Sequence, residues 1–154
     1  MSVILGQKDV MDLLTKYEVS GTFAGGPVPC AAALATLEVL EEGNFAARAQ
    51  QLGELLTRTI DELGPPHIIE HRGRGRGLFQ TLIVDEAVPG ITAQRVAALA
   101  AHRGALIGNG ANRLRFSPPL TITEGDLIKA VTIVVQALQD VDKLGDFPGG
   151  EVLN

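Results

Sequence analysis

Two short segments of the sequence carry residue types that could bind an anionic ligand. Gly21-Thr-Phe-Ala-Gly-Gly-Pro27 places a hydroxyl and several backbone N–H groups just ahead of a predicted helix, a combination that favours phosphate. Arg113-Leu-Arg-Phe-Ser-Pro-Pro-Leu120 sends a predicted strand into a rigid Pro-Pro turn. Because side chains alternate along a strand, Arg113 and Arg115 share a face, and a guanidinium fixed there suits bidentate capture of a carboxylate. Taken alone, the first segment is also compatible with a plain loop and the second with a surface salt bridge.

The run Arg72-Gly-Arg-Gly-Arg-Gly77 suggests two binding functions that its context argues against. Its spacing differs from the Gly-x-Gly-x-x-Gly dinucleotide fingerprint, and a strand-like stretch follows it instead of a helix. An RNA-binding arginine-glycine segment is longer and is set in a basic chain. The run is therefore predicted to be a bulged turn between two strands, with solvated arginines.

Histidine and cysteine positions predict no metal site and no reactive thiol. His67, His71 and His102 stand far apart in sequence and lack the carboxylate or cysteine spacing of a metal site. Cys30 opens an alanine-rich helix and is interpreted as a small packed hydrophobe.

Composition excludes several classes of function. The 154 residues carry a net charge of −5, which argues against nucleic acid as the main partner. One cysteine rules out an internal disulfide framework and fits a reducing compartment. The first residues lack the basic region of a signal peptide, and no stretch approaches the roughly 20 apolar residues of a membrane span. We therefore expect a cytoplasmic protein with no membrane association.

The elements that must position these segments follow from hydrophobic periodicity. The predicted strands are 2–5, 67–70, 78–84, 105–107 and 113–116, and the predicted helices are 8–16, 30–42, 44–63, 92–103 and 123–143. From residue 30 onward this order can close an α/β domain, a three- to four-stranded sheet covered by helices. Residues 1–29 bury little and look like a piece detached from a neighbouring sheet, and residues 145–154 are predicted to be a flexible tail.

Three segments, in this order, resemble the class III aminotransferases. Thr22-Phe-Ala-Gly-Gly-Pro27 and the helix after it resemble the family's Thr-Phe/Tyr-Gly-Gly-Asn-Pro loop. Arg74-Gly-Arg-Gly-Leu78 resembles an Arg-Gly-x-Gly-Leu turn, and Arg115-Phe-Ser-Pro-Pro-Leu120 is similar to an Arg-Phe-x-Pro-Pro-Leu element. The resemblance covers residues 1 to about 142. It implies a pyridoxal-phosphate-dependent transaminase of fold type I, most like the ornithine type, with acetylornithine and 4-aminobutyrate types as alternatives.

The resemblance also implies roles for individual residues. The threonine matching Thr22 hydrogen-bonds the phosphate of pyridoxal 5'-phosphate across a subunit boundary, and Phe23 belongs to the same cofactor-binding loop. The arginine matching Arg115 binds a substrate carboxylate and, in ornithine enzymes, pairs with a glutamate while ornithine is bound. Residues 1–29 would then be a remnant of the large cofactor-binding domain, and residues 30–144 the C-terminal small domain.

The lysine that holds the cofactor is the main departure from the family pattern. In the family it precedes a Pro-x-Ser-Val-Ile-Leu-Gly-like stretch, which the first residues of this sequence match, and Lys8, Lys16, Lys129 and Lys143 lie outside any such motif. No catalytic residue is therefore assigned in the chain, and Gly26 also replaces the family's asparagine. The cofactor is expected to be shared with another chain or within an oligomer. Two functions remain open: a subunit of a split transaminase acting on amino-acid and 2-oxoacid substrates, or an inactive fragment that binds or regulates a relative.

Overall fold

The computed structural model describes residues 3–15, 18–19 and 21–143, which fall into two compact units, one ending at Phe45 and one starting at Ala46. The predicted domain boundary at residues 29 and 30 lies inside the first unit. Ser2, Lys16 and the predicted tail at 145–154 lie outside the described residues.

The first unit contains two helices, α1 (Lys8–Met11) and α2 (Pro27–Glu42). The strand predicted at 2–5 was expected to belong to a neighbouring sheet, and Val3 to Leu5 pair with no strand among the described residues. A short apolar run becomes a strand only when a neighbour supplies its hydrogen bonds. The predicted helix at 8–16 is shorter than expected and ends in a turn after Met11.

Helix α2 begins three residues earlier than predicted, inside the glycine- and proline-rich segment. Pro27 occupies the start of the helix, where its missing N–H is not needed and its fixed φ suits the first turn. The alanine- and leucine-rich sequence then propagates the helix, and Gly43 ends it. No residue of α2 is buried, although its exposed side chains include Val28, Leu34 and Leu37.

The second unit is a four-stranded antiparallel sheet covered by helices, as the sequence predicts. The strand order is β1-β2-β4-β3. In chain order its elements are α3 (Phe45–Leu63), β1 (Ile68–Arg72), β2 (Gln80–Val84), α4 (Ala93–His102), β3 (Gly108–Gly110), β4 (Arg113–Phe116) and α5 (Glu124–Asp140).

The hydrophobic core of this unit lies between the inner face of the sheet and the three helices. The apolar positions at helical spacing along α4 and α5 are buried, namely Val96, Leu99, Ala100, Leu127, Val131, Val134, Val135 and Leu138. Two threonine side chains cap these helices: Thr92 accepts from the Arg95 N–H at 3.1 Å, and Thr123 accepts from the Asp126 N–H at 3.1 Å. Both caps satisfy N–H groups that a helix start leaves unpaired.

One predicted strand of the second unit is misplaced. Ala105–Ile107 is not a strand, and β3 instead occupies the glycine-containing stretch Gly108–Gly110, paired with β4. The side chain of Leu106 is 93% exposed, so the apolar run does not mark a buried strand.

Candidate functional site

The predicted phosphate-binding loop is a turn directly before α2. Thr22 and Phe23 are exposed in it, the Ala24 N–H donates to the Gly21 carbonyl at 2.9 Å, and Gly25 adopts a φ of 70°. Proline at positions 27 and 29 removes two of the N–H groups that the start of α2 would otherwise offer. The hydroxyl of Thr22 is therefore the main group this loop can direct at an anion.

Arg115 lies on β4, where side chains alternate between solvent and core. Leu114 and Phe116 are buried, whereas Arg113 and Arg115 are exposed on the same face, as predicted. Among the described residues no carboxylate forms an ion pair with either guanidinium. Both arginines thus keep hydrogen-bond donors available for an external carboxylate.

Two cavities in the second unit meet at Arg115. One, of about 290 Å³, is mainly apolar and runs from Leu106 and Ile107 to the Pro118-Pro119 turn. The other, of about 450 Å³, is more polar and is lined by Thr81, Asn109 and Arg113. A ligand whose carboxylate meets Arg115 can therefore place its remaining atoms in an apolar or in a polar space.

The Pro-Pro turn after β4 is fixed by contacts with its own backbone and with α3. The Ile122 N–H donates to the Pro119 carbonyl at 3.0 Å. The Arg48 guanidinium on α3 donates to the Ile122 carbonyl, also at 3.0 Å. These bonds fix the turn that follows β4, and the pairing of β4 with β2 and β3 fixes the backbone of Arg115 itself.

The Arg-Gly segment 72–77 forms a turn between β1 and β2, as predicted. Gly73, Gly75 and Gly77 have φ values of 83°, 70° and 87°, a conformation that side-chain-bearing residues rarely adopt. The arginines of this turn are exposed, as predicted, and Arg74 also forms an ion pair in which its two terminal nitrogens lie 2.7 Å and 2.6 Å from the Asp61 carboxylate oxygens. This pairing holds the pKa of Asp61 below its usual value, because the Arg74 hydrogen bonds and charge favour the carboxylate.

Gln80, a buried residue that belongs to no sequence motif, connects this turn to α3. Its amide nitrogen donates to the carbonyls of Gly53 and Gly77, at 2.8 Å and 3.0 Å. Its amide oxygen lies 3.0 Å from the Thr57 hydroxyl and 2.7 Å from His71 Nε2. A buried amide with both ends satisfied fixes one arrangement of the surrounding backbone. No sequence pattern marks this site, since the partners lie on α3, on β1 and in the turn, up to 27 residues from Gln80.

His71 lies on β1 and Cys30 lies on α2. Within the described ranges no group of three His, Cys, Asp or Glu side chains could hold a metal ion. His71 is half-buried between Gln80 and Arg74, and burial lowers the pKa of its imidazole. Cys30 is a free, partly exposed thiol in α2.

No helix in the described part of the chain is long and apolar enough to cross a membrane.

Comparison with protein families matches residues 1–138 to the family Aminotransferase class-III. An ornithine aminotransferase from Emericella nidulans is 34% identical over 146 residues, which are 94% of this chain and 32% of that protein. An acetylornithine aminotransferase from Mycolicibacterium smegmatis is 39% identical over 128 residues, 82% of this chain and 31% of that protein.

Among solved structures, an ornithine aminotransferase from Toxoplasma gondii matches with a TM-score of 0.76 and 31% identity, over 90% of this chain and 33% of that one. That structure has partial occupancy of PLP at its active site. The chain spans about a third of the length of the curated relatives it matches.

Proposed function

The chain belongs to the class III aminotransferase family, and from this membership we propose that it forms the C-terminal part of a pyridoxal-phosphate-dependent transaminase that moves the δ-amino group of L-ornithine to a 2-oxoacid such as 2-oxoglutarate. Residues 1–29 then belong to the large cofactor-binding domain and residues 30–144 to the small domain. The observation that carries the proposal is Arg115, exposed and without an ion pair among the described residues, where two cavities meet.

Arg115 is the group that recognises a substrate carboxylate in this proposal. Its planar guanidinium can donate two parallel hydrogen bonds, and it stays charged at any physiological pH. The strand and the braced Pro-Pro turn fix its backbone, which favours one orientation of the bound acid. The resemblance implies that a glutamate masks this arginine when ornithine binds, so the 2-oxoacid depends on it more than ornithine does.

The residues of the loop before α2 fit pyridoxal 5'-phosphate. The fit rests on the exposed hydroxyl of Thr22 in the turn before the helix. Thr22 would hold the phosphate, with Phe23 beside it in the same loop. When bound, the cofactor supplies the electron sink that amino-group transfer requires. The four lysines of this sequence lie outside the family's lysine motif, so in this proposal a lysine from outside these 154 residues holds the cofactor, as on a companion chain.

Two alternatives remain for the function. The 39% identity to an acetylornithine aminotransferase favours a transaminase of that type, or the related 4-aminobutyrate type. The second alternative is a catalytically inactive fragment that binds or regulates a full-length relative. An active complex with a lysine-bearing chain would exclude the inactive fragment, and the preferred amino donor would separate the transaminase types.

Single-turnover kinetics of each half-reaction in such a two-chain complex test the role of Arg115. Arg115→Ala should cost about 2–4 kcal/mol, or about 30- to 1,000-fold in specificity for the 2-oxoacid. Arg115→Lys should fail nearly as badly, since lysine cannot form two parallel N–H···O bonds. The ornithine half-reaction should lose less.

The matched control is Arg76→Ala, since Arg76 is exposed in the 72–77 turn and lines neither cavity. Arg74 is unsuitable because it pairs with Asp61, and Arg113 because it lines the polar cavity. If Arg115→Ala leaves both half-reactions within about twofold of the wild type, Arg115 is a structural residue and the substrate-site assignment is wrong.

A further inference from the structure

The Arg115 guanidinium lies between an aromatic ring and a stretch of backbone without a side chain. Its central carbon lies 5.8 Å from the centre of the Phe79 ring. On the neighbouring strand β3, a Cβ built on Gly108 would come within 3.3 Å of Arg115 Nε and 3.4 Å of Arg115 Nη2. We propose that Phe79 and Gly108 are positioning residues that hold Arg115 ready for a carboxylate, an inference that rests on the proposed role of Arg115.

The register of the sheet explains why these residues meet. Arg115 on β4 is paired with Gly108 on β3 and with Thr81 on β2. Phe79 precedes Thr81 by two residues, so it lies on the same face as Arg115 and diagonally across from it. This diagonal is within reach of an aromatic ring and a long side chain. Gly108 is the direct cross-strand neighbour, and its missing side chain leaves the space that the guanidinium occupies.

Phe79 exposes an aromatic ring to solvent at this position. Its side chain is 61% exposed, whereas its sequence neighbours Leu78 and Gln80 are buried. The ring lines the polar cavity together with Arg115. A cation held over the face of an aromatic ring is stabilised without losing the hydrogen-bond donors at its edge. The contact therefore restricts the rotamers of Arg115 while leaving N–H groups for a ligand, which lowers the cost of ordering the side chain on binding.

The chain offers a matched control for Gly108. Gly110 lies on the same strand, opposite Arg113, and lines the same polar cavity as Gly108, but a Cβ built there meets nothing within 4 Å. Neither glycine has a φ in the left-handed region. Gly108→Ala and Gly110→Ala therefore add the same methyl group to the same strand, but only the methyl group at position 108 contacts Arg115.

The test uses the full chain labelled with nitrogen-15, with glutarate as the carboxylate probe. The Arg115 Nε–H resonance reports its position over the Phe79 ring through the ring-current shift, and a glutarate titration gives the affinity. Phe79→Leu should abolish the ring-current shift and weaken glutarate binding about two- to fivefold, as expected for an exposed cation–π contact. Phe79→Trp should keep both. Gly108→Ala should move the resonance and weaken binding, whereas Gly110→Ala should change neither.

The outcomes separate this inference from the proposed function. An Arg115 resonance and an affinity that are the same in Phe79→Leu and the wild type would overturn the positioning role. The positioning role is also overturned if Gly110→Ala is as harmful as Gly108→Ala. If Arg115→Ala binds glutarate as well as the wild type, or if the wild type does not bind it, the carboxylate role of Arg115 itself fails, and the inference built on it falls too.

Discussion

At the residue scale, the contacts of His71 favour a neutral imidazole. Nε2 lies 2.7 Å from the Gln80 amide oxygen, and Nδ1 lies 3.1 Å from an Arg74 nitrogen that can only donate. A neutral ring with its proton on Nε2 satisfies both neighbours, whereas a protonated ring would direct an N–H at a guanidinium. Burial and the Arg74 charge lower the pKa of His71, and burial is the larger cause.

This lowered pKa predicts a pH dependence of stability. Because the unfolded chain binds the His71 proton more readily than the folded chain, the free energy of unfolding should fall as the pH drops below about 6.5 and through the folded pKa. Carboxylates with lowered pKa values, such as Asp61, lose their contribution only near and below pH about 4. Chemical denaturation between these pH values measures the effect. His71→Gln should flatten the curve, and an equally steep curve in that variant would contradict this assignment.

The second prediction at this scale concerns Thr22. A hydroxyl bonded to a phosphate forms a charge-assisted hydrogen bond worth roughly 1.5–3 kcal/mol. Thr22→Ala in a complex with the lysine-bearing chain should therefore weaken cofactor retention about tenfold or more, while Thr22→Ser should be mild. Equilibrium dialysis of the cofactor measures this. Equal retention in the Ala variant would leave the loop with a structural role only.

At the scale of elements, α3 and the Arg-Gly turn approach each other so closely that the contact requires glycine. A Cβ on Gly53 would lie 2.3 Å from the backbone of Gly77, so the helix and the turn can meet only at glycine. Gly53→Ala should lower the free energy of unfolding by about 1–3 kcal/mol or more, because rigid backbone has to move. Gly125→Ala on α5, where the added Cβ meets nothing within 4 Å, should be neutral or stabilising. Equal midpoints of denaturation for the two variants would contradict the close approach.

The helices and strands of this chain are predictable from sequence where burial of one face makes apolar residues recur at regular spacing. Helices α4 and α5 follow their apolar spacing, and β4 alternates as expected. The sequence does not predict β3, because Gly-Asn-Gly contains no hydrophobic residue. This segment is a strand only through its pairing with β4. The shared face of Arg113 and Arg115 was predictable from period two alone. The contacts of Arg115 with Phe79 and Gly108 depend on cross-strand register, and those of Gln80 depend on how α3 packs on the sheet, so the sequence does not predict either set.

At the scale of the whole molecule, the two units differ in how they bury hydrophobic surface. The second unit has a core of side chains that are almost fully buried, whereas α2 in the first unit has no buried residue. A helix that is apolar on most of its surface is normally buried in a larger structure. The exposed α2 supports the proposed companion chain, which would cover this helix.

The most direct test of that proposal is reconstitution of the transaminase from two chains. The chain is co-expressed with the N-terminal part of a class III aminotransferase that includes the cofactor lysine, and the complex is purified through a tag on one partner. Visible absorbance of bound pyridoxal phosphate and amino transfer from L-ornithine to 2-oxoglutarate are then measured for the complex and for each chain alone. We expect co-purification, cofactor absorbance and transfer in the complex, with no transfer by this chain alone. Turnover by this chain alone, with the cofactor fixed by borohydride to one of its own lysines, or a purified complex without cofactor, would contradict the account.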